Sequence, residues 1–377
     1  MNRRFYLAAV LSVCGFVGAT AGCGGGGGGS TEATPTPTPT VNPGGRTYTA
    51  ALISPAGLAK TSANGISGNA IVGTGTPTDG SAIYAAFLWK RAGASATNLT
   101  PSAYSNTIAN GVSGDVLVGW GSPTGQTISH ALLWNVNSSS VVDLNPASGY
   151  YASQAFGVSG NVIVGESTPT GVLVTTGNHA FLWTGSAASG VDLNPASGYL
   201  GSLARAVSGD TQVGEGYVSN SVTHALLWKG SAGSVIDLHP AGFTSSQANG
   251  VSGSTQVGQG AVASSLHALL WSGTAASAVD LNPAGFGYSV ASAASGNVQV
   301  GHGIPSSGGG KTHALAWTGT AASAVDLHPS TTGLSVGGTA ITVVSSQANA
   351  VDTDGTIVGM VTDDKNATYA VTWTPNH

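Results

Sequence analysis

The chain has 377 residues, of which 58 are glycine, 41% are hydrophobic and only 7% are charged. This composition excludes a disordered polyelectrolyte, and a coiled coil or helical bundle would need far more Leu, Glu, Lys and Arg. The net charge of −5 argues against a nucleic-acid partner, because proteins that bind nucleic acid present clustered basic residues.

The first 22 residues predict a signal peptide of the bacterial lipoprotein type. Asn2-Arg3-Arg4 is a positive start, and the apolar run 5–17 has the length of a signal-peptide core but is too short for a transmembrane helix. Thr20-Ala21-Gly22 before Cys23 resembles a lipobox, although Thr20 stands where Leu is usual. We therefore expect lipidation at Cys23 and an exported protein on the bacterial outer membrane or cell surface. An ordinary secretory signal cut near Ala21 is the alternative.

Residues 23–46 predict a tether. The run 24–29 is all glycine and flexible, and the Thr-Pro alternation over 34–40 favours extended polyproline II. We expect contact with a membrane only through the N-terminal lipid. The two cysteines, Cys14 and Cys23, both lie within the first 23 residues, so a disulfide framework is excluded for the residues after them.

From residue 47 to residue 377 the chain repeats one unit seven times. Each unit contains a Gly-Val-Ser-Gly phrase or a variant of it, a Val-Gly phrase, a strand that ends in tryptophan and, in most units, an Asp-Leu-x-Pro phrase. Seven of the eight tryptophans occupy one repeat position, about 47 residues apart. They are Trp89, Trp134, Trp183, Trp228, Trp271, Trp317 and Trp373.

The repeat predicts an all-β fold. Each unit has four short strand patterns bounded by Gly and Pro, and four strands in 40 to 50 residues is typical of a β-propeller blade. The last unit ends at 373–375 with three strands, and residues 51–57 resemble a spare fourth strand. We predict a seven-bladed β-propeller of four-stranded blades, closed by an N-terminal strand that completes the last blade.

The third strand of the third unit, His179-Ala180-Phe181-Leu182-Trp183, resembles the signature of the HAF repeat family, a group of extracellular repeat proteins. Variants such as 130–134 and 313–317 extend the resemblance over nearly all of residues 47 to 377. The resemblance implies export and carries no activity with it.

Histidine and aspartate also recur. Five histidines open the third strand and five aspartates open the fourth. These are His130, His179, His224, His267 and His313, with Asp143, Asp192, Asp237, Asp280 and Asp326. A Ser-His-Asp hydrolase needs one unique constellation, so five copies favour a structural network of Ser, His, Trp and Asp in each blade. The repeated tryptophans likewise predict core packing.

We predict neither a metal nor a cofactor. The repeated histidines lie one per unit, too far apart to share an ion. The segment 352–355, Asp-Thr-Asp-Gly, is better explained as a hairpin turn than as a calcium loop. The triplet 310–312, Gly-Lys-Thr, lacks the glycine and the helix of a phosphate loop.

Candidate ligand-binding residues are those that break the repeat on the loop face. The loops between second and third strands vary in length, which is how repeat scaffolds carry function. Trp120, Tyr151, Arg205 and Tyr288 depart from their repeat positions and are the predicted contacts.

These features predict a non-enzymatic, surface-tethered extracellular module that binds or scaffolds a protein, peptide or glycan. One alternative is a propeller enzyme such as a polysaccharide lyase or glycosidase, and another is a structural surface-coat protein. The enzyme would need two carboxylates within about 5–10 Å. The acids outside the repeat pattern are Asp79, Glu166, Glu215, Asp363 and Asp364.

Overall fold

The computed structural model describes residues 47–376, except 56, 81, 92–94, 173–174, 330–332 and 337. The predicted signal peptide, the lipidation site Cys23 and the tether lie outside the described residues. The described chain is built of β-strands, and its helical segments are three-residue 3-10 turns.

The strands follow the sequence repeat. Unit one contains β2 (Leu58–Ser67), β3 (Ala70–Pro77), β4 (Ala85–Lys90) and β5 (Ala96–Asn98). Unit two contains β6 (Tyr104–Ser113), β7 (Val116–Pro123), β8 (His130–Asn135) and β9 (Ser138–Asp143). Unit three contains β10 (Tyr150–Ser159), β11 (Val162–Pro169), β12 (His179–Trp183) and β13 (Val191–Asp192). Unit four contains β14 (Ser202–Ser208), β15 (Thr211–Tyr217), β16 (Thr223–Trp228) and β17 (Ile236–Asp237).

The remaining units repeat this order. Unit five contains β18 (Ser245–Ser252), β19 (Thr255–Val262), β20 (Ser265–Trp271) and β21 (Val279–Asp280). Unit six contains β22 (Phe286–Ser295), β23 (Val298–Pro305), β24 (His313–Trp317) and β25 (Val325–Asp326). The short hairpin of β26 (Ser335–Val336) and β27 (Thr339–Ala340) leads to unit seven, which contains β28 (Val343–Val351), β29 (Ile357–Asp363) and β30 (Thr368–Pro375).

The N-terminal strand β1 (Tyr48–Leu52) pairs with the last strand of the chain. Units two to six each form a four-stranded sheet in chain order. β1 runs antiparallel to β30, with Tyr48 opposite Pro375 and Leu52 opposite Val371. Units seven and one belong to one eight-stranded sheet, bridged by Lys60 opposite Thr368. The prediction that an N-terminal strand pairs with the last unit is therefore confirmed.

Two recurrent glycines explain the first hairpin of each unit. Gly160 has φ +59°, a left-handed conformation that a side chain disfavours, and it forms the turn between β10 and β11. Gly165 follows Val164, and a Cβ atom there would lie 1.9 Å from the carbonyl oxygen of Gln154. The two phrases recur because one makes the turn and the other lets the first two strands approach each other.

The repeated tryptophans pack in the core, as predicted. Six of them are fully buried and Trp134 is 2% exposed. Each core cluster joins neighbouring units: Val164 and Leu182 of unit three pack with Leu226 and Trp228 of unit four. The apolar faces of successive sheets therefore bury each other, which is the main favourable contribution to folding.

A buried hydroxyl connects each unit to the unit before it. Ser202 Oγ accepts a hydrogen bond from the Ala180 N–H at 3.1 Å and donates to Asn194 Oδ1 at 2.7 Å. The same position bonds the preceding unit throughout, through Thr61, Thr107, Ser153, Ser202, Ser246, Ser289 and Ser346. This hydroxyl is distinct from the serine of the Gly-Val-Ser-Gly phrase.

Candidate functional site

The residue that follows each Val-Gly phrase changes from unit to unit, although the strand around it repeats. We term it the variable position; it holds Thr74, Trp120, Glu166, Glu215, Gln259, His302 and Met360. The repeat pattern predicts that the second strand of each unit ends with the Val-Gly phrase and that this residue begins the following loop. The second strands in fact run on beyond them, for example to Pro169 in β11 and Tyr217 in β15. Glu166, Glu215 and His302 are therefore buried strand residues.

A β-bulge on the first strand places a second changing residue beside the variable position. In four units this residue is an asparagine whose Nδ2 donates to a carbonyl of the next unit's first strand at 2.8–3.0 Å. These are Asn64, Asn110, Asn249 and Asn349. Phe156, Arg205 and Ser292 replace it in units three, four and six. Because bulges re-aim side chains and concentrate near active sites, the exceptions mark candidate functional residues.

Arg205 binds Glu215 with two hydrogen bonds. Its Nε lies 2.6 Å from Glu215 Oε2 and its Nη2 lies 2.7 Å from Glu215 Oε1. The Glu215 side chain is 1% exposed and the Arg205 side chain is 16% exposed. Burial disfavours the charged guanidinium, but the neighbouring carboxylate of Glu215 outweighs burial and raises the pKa of Arg205. The pair is a two-point, charge-assisted contact that fixes both groups.

Glu166 of unit three lies within electrostatic reach of this pair but in a different environment. Asn178 Nδ2 donates to Glu166 Oε2 at 2.7 Å, and the side chain is fully buried. Burial raises the pKa of Glu166 to about 7; the bond from Asn178 and the charge of Arg205 oppose the rise, and the charge of Glu215 adds to it. Glu166 therefore keeps its proton to a higher pH than an ordinary glutamate does.

Glu166 and the Arg205–Glu215 ion pair thus form one electrostatically coupled group, the carboxyl cluster. Glu166 can donate a proton at neutral pH, while the carboxylate of Glu215 is held by Arg205. Environments that separate two neighbouring carboxyl groups in this way assign one to acid catalysis and the other to a charged role. Glu166 and Glu215 are therefore two acids from outside the repeat pattern that interact electrostatically.

His302 is a second buried titratable residue, on unit six. Its Nδ1 has no hydrogen-bond partner among the described residues, and the same is true of Ser292 Oγ at the bulge of that unit. Burial lowers the pKa of His302 to about 4, so its imidazole is neutral at pH 7. Its ring lies 6.0 Å from the ring of Tyr288.

The four predicted ligand contacts lie on four different units. Arg205 joins the carboxyl pair, and Tyr288 lies beside His302. Trp120 is half-buried on β7, with an indole N–H that has no hydrogen-bond partner in the described part of the chain. Tyr151 is 39% exposed, and its hydroxyl donates to the Val172 carbonyl at 3.3 Å. The assignment of these residues to a ligand stays a prediction.

The repeated His-Asp pairs form as predicted, with one correction. In all five units His Nδ1 lies 2.7 Å from Asp Oδ2. The serine of the Gly-Val-Ser-Gly phrase does not take part: Ser159 Oγ instead accepts from the N–H of Gly209 in the next unit's turn. Trp134 Nε1 donates to the Leu99 carbonyl, outside the pair. Ser159, His179 and Asp192 therefore do not form one constellation.

The grouping of Glu166 with Asn178, Arg205 and Glu215 could not be predicted from the sequence, because these residues are far apart in the chain. Glu166 and Glu215 were noted only as acids outside the repeat, and Asn178 was not singled out. Aligning the seven units to one another would have indicated that Glu166 and Glu215 are related, because they occupy the variable position in successive units.

Within the described residues, no group of three or more His, Cys, Asp or Glu is placed to hold a metal ion. Over the same part of the chain, no helix has the length and apolar character needed to cross a membrane.

Solved structures similar to this chain are β-propellers. The β-propeller domain of the Trilobed protease from Pyrococcus furiosus is 10% identical, with a TM-score of 0.54, over 85% of this chain and 95% of that one. Oligogalacturonate lyase from Vibrio parahaemolyticus is 10% identical, with a TM-score of 0.56, over 89% and 96%. Acylaminoacyl peptidase from Pyrococcus horikoshii is 10% identical, with a TM-score of 0.52 over 85% of this chain, which spans about half of the peptidase. The fold is therefore a β-propeller.

No protein-family profile matches this sequence, and no curated protein matches it. The structural neighbours correct the functional expectation. A non-enzymatic binding or scaffolding module was expected, whereas the neighbours bear the names of peptidases and a lyase and favour the alternative, a propeller enzyme. At this identity the likeness establishes the fold alone, so reaction and substrate are matters for proposal.

Proposed function

We propose that the protein is a propeller enzyme that hydrolyses glycosidic bonds, with Glu166 as the proton donor. The observation that carries the proposal is the raised pKa of Glu166, about 7, beside the Arg205–Glu215 ion pair. Glycosidases use two carboxyl groups, one protonated and one charged, on either side of the bond that breaks. Glu166, with its raised pKa, and Glu215, paired with Arg205, are our candidates for these two roles.

The reaction assigns one role to each group. Glu166 gives its proton to the oxygen of the departing sugar as the bond from that oxygen to the anomeric carbon breaks. A water molecule adds to the anomeric carbon, and its proton passes to the carboxylate of Glu215. Arg205 orients the Glu215 carboxylate through two hydrogen bonds. Asn178 orients Glu166 through its bond to Oε2.

Hydrolysis fits the charges better than elimination from a uronate. An enzyme that eliminates across a uronate must neutralise the substrate carboxylate, and the Nε–Nη2 edge of Arg205 is already paired with Glu215. The match to oligogalacturonate lyase covers most of both chains, so elimination is the outcome against which hydrolysis is tested.

The test is cleavage of a polysaccharide panel by the full chain. Release of reducing ends from neutral glucans, xylans or mannans should fall at least about 100-fold in Glu166→Gln, since general acid catalysis contributes that much. Asp115→Asn, a change at an exposed turn acid, is the matched control and should cleave normally. Unchanged cleavage in Glu166→Gln would refute the assignment, as would unsaturated products from a uronate polymer alone.

We also propose that the seven units close into a seven-bladed ring. Several contacts between the last and first units support closure. Asn349 Nδ2 donates to the Ala63 carbonyl at 2.9 Å, as Asn64 does to Ala109 in the next unit. The Gly68 N–H donates to Asp352 Oδ2, in place of the serine that receives this bond between other units. β1 supplies a fourth strand to unit seven.

For the location we propose export and a lipid anchor at Cys23, as the sequence predicts for residues outside the described part. The resemblance to the HAF repeat family supports an extracellular setting. Replacing Cys23 by Ser should release the full-length protein from the membrane fraction. Incorporation of labelled palmitate into the wild type and not into Cys23→Ser would support the anchor, and equal incorporation would contradict it.

A further inference from the structure

A polar cavity of about 260 Å³ lies between units four and five, next to the end of β15. Its wall includes Tyr217 and Thr223 of unit four and Ser245, Gln247 and Gln259 of unit five. Every described residue that lines it is uncharged. Its volume is just below the 300 Å³ or so at which drug-sized ligand pockets begin, which suits one small ring.

Tyr217 relates the cavity to Glu215, because it lines the cavity and lies on the same strand, β15. Tyr217 lies two residues after Glu215, so the two side chains point to the same face of the strand. Burial and then the charge of Glu215 raise the pKa of Tyr217 to about 12, and Glu166 adds to the rise. The phenol therefore keeps its proton at neutral pH and stands within electrostatic reach of both carboxyl groups.

Two glutamines in the wall of the cavity supply amide groups that can donate and accept hydrogen bonds. Gln259 holds the variable position of unit five, and Gln247 is its cross-strand partner. Gln259 Nε2 donates to Gln247 Oε1 at 2.8 Å, which leaves amide donors and acceptors for a ligand. Unit five is the one unit with glutamine at both positions; the corresponding pair in unit four is Glu215 and Leu203.

We propose that this cavity is a subsite for one uncharged sugar residue of the glycan, adjacent to the bond that Glu166 protonates. The inference rests on the proposed function and adds the substrate class, a neutral rather than a uronate-containing polysaccharide. Sugar hydroxyls both donate and accept hydrogen bonds, as the amides of Gln247 and Gln259 do. An aromatic side chain such as Tyr217 offers an apolar face and a polar tip to the same ring. The lining holds no cation to pair with a uronate carboxylate.

Binding to an inactive full-length variant tests the subsite without turnover. In the Glu166→Gln background, neutral hexasaccharides of glucose, xylose or mannose are titrated calorimetrically, with hexagalacturonate as the charged probe. At least one neutral probe should bind, and more tightly than hexagalacturonate. Adding Gln259→Ala or Gln247→Ala should weaken that binding about 3- to 10-fold, the cost of one or two lost hydrogen bonds.

Gln347→Ala is the matched control, because Gln347 occupies in unit seven the position that Gln247 occupies in unit five. It should change affinity less than twofold, and unfolding curves of all variants verify that they fold. Failure of every neutral probe to bind, preference for hexagalacturonate, or equal weakening by Gln347→Ala would overturn the subsite. These outcomes are separable from the proposed reaction: if Glu166→Gln abolishes cleavage while the glutamine variants bind normally, the reaction stands and the subsite fails.

Discussion

Arg205 lies in the β-bulge of β14 and Glu215 lies on the adjacent strand β15. Two hydrogen bonds of 2.6 and 2.7 Å join their side chains. Arg205 occupies the bulge where four other units place an asparagine that bonds the next unit. Unit four thus exchanges a contact between units for a contact within the unit. As a result, the Arg205–Glu215 ion pair interacts electrostatically with Glu166, whose pKa is raised. For this reason we propose that the catalytic residues lie in this part of the propeller.

Removing the arginine alone should strongly destabilise the protein. Arg205→Ala leaves the Glu215 carboxylate, 1% exposed, without its buried partner, and breaking such a pair costs about 3–5 kcal/mol of unfolding free energy. The double variant Arg205→Ala/Glu215→Gln should recover most of the loss, because no unpaired charge remains. Urea unfolding of the three proteins measures this. A double variant less stable than Arg205→Ala would show that the pair is not the source of the loss.

Glu166 predicts a pH dependence of stability. Its pKa is about 7 in the folded protein against an ordinary value of 4.5, so between these values the folded state binds the proton more tightly than the unfolded chain. The contribution is full below pH 4.5 and is lost as pH rises through 7, a change of about 3 kcal/mol at most. Glu166→Gln should remove this part of the pH dependence.

The measurement is denaturant unfolding of wild type and Glu166→Gln from pH 4 to pH 8. The difference in unfolding free energy, wild type minus variant, should fall as pH rises from about 4.5 to about 7 and level off above that. Asp115→Asn, at an exposed turn, should run parallel to the wild type. A difference that is constant with pH would mean that the pKa of Glu166 is not raised.

The sequence predicts the scaffold well because each structural requirement recurs in every unit. Gly160, Gly165 and Trp183 each have counterparts in other units. Those of Gly160 lie in turns, those of Gly165 lie where two strands approach closely, and those of Trp183 are buried in the core. The N-terminal strand could also be predicted, because residues 51–57 match the missing segment of the last unit. The observed strand is 48–52, slightly earlier, because the segment after it leaves the sheet.

The candidate site could not be predicted in the same way, because it consists of departures from the repeat. Glu166 and Arg205 lie on different units, and their approach depends on how neighbouring sheets pack. Arg205 is predicted from the sequence to contact a ligand, whereas in the structure it binds the buried carboxylate of Glu215. The serine of the Gly-Val-Ser-Gly phrase was assigned to the His-Asp network because one unit contains all three residues. Its hydroxyl in fact faces the next unit.

The two kinds of serine predict different costs on removal. Ser202→Ala deprives the buried Ala180 N–H and the Asn194 amide of their partner and should cost about 1–3 kcal/mol of unfolding free energy. Ser159→Ala removes a bond to the N–H of Gly209, which lies at an exposed turn where water can replace it. That change should cost less than about 0.5 kcal/mol. Equal losses in urea unfolding would show that the buried hydroxyl does not hold the units together.

If the ring is closed, a short deletion at the start of the propeller should destabilise its last unit, because β1 pairs with β30. Removing residues 47–52 takes away β1, leaves β30 with an unpaired edge and uncovers the cluster around Trp373, against which Tyr48, Ala50 and Leu52 pack. We expect the melting temperature to fall by about 5–10 °C, since each kcal/mol is worth a few degrees in a protein of this size. Aggregation should also increase, because exposed strand edges pair between molecules.

The control deletes the six glycines at 24–29, the same number of residues from the predicted tether, and should melt like the wild type. If both deletions melt alike, β1 does not close the propeller, and the proposed ring of seven units must be given up.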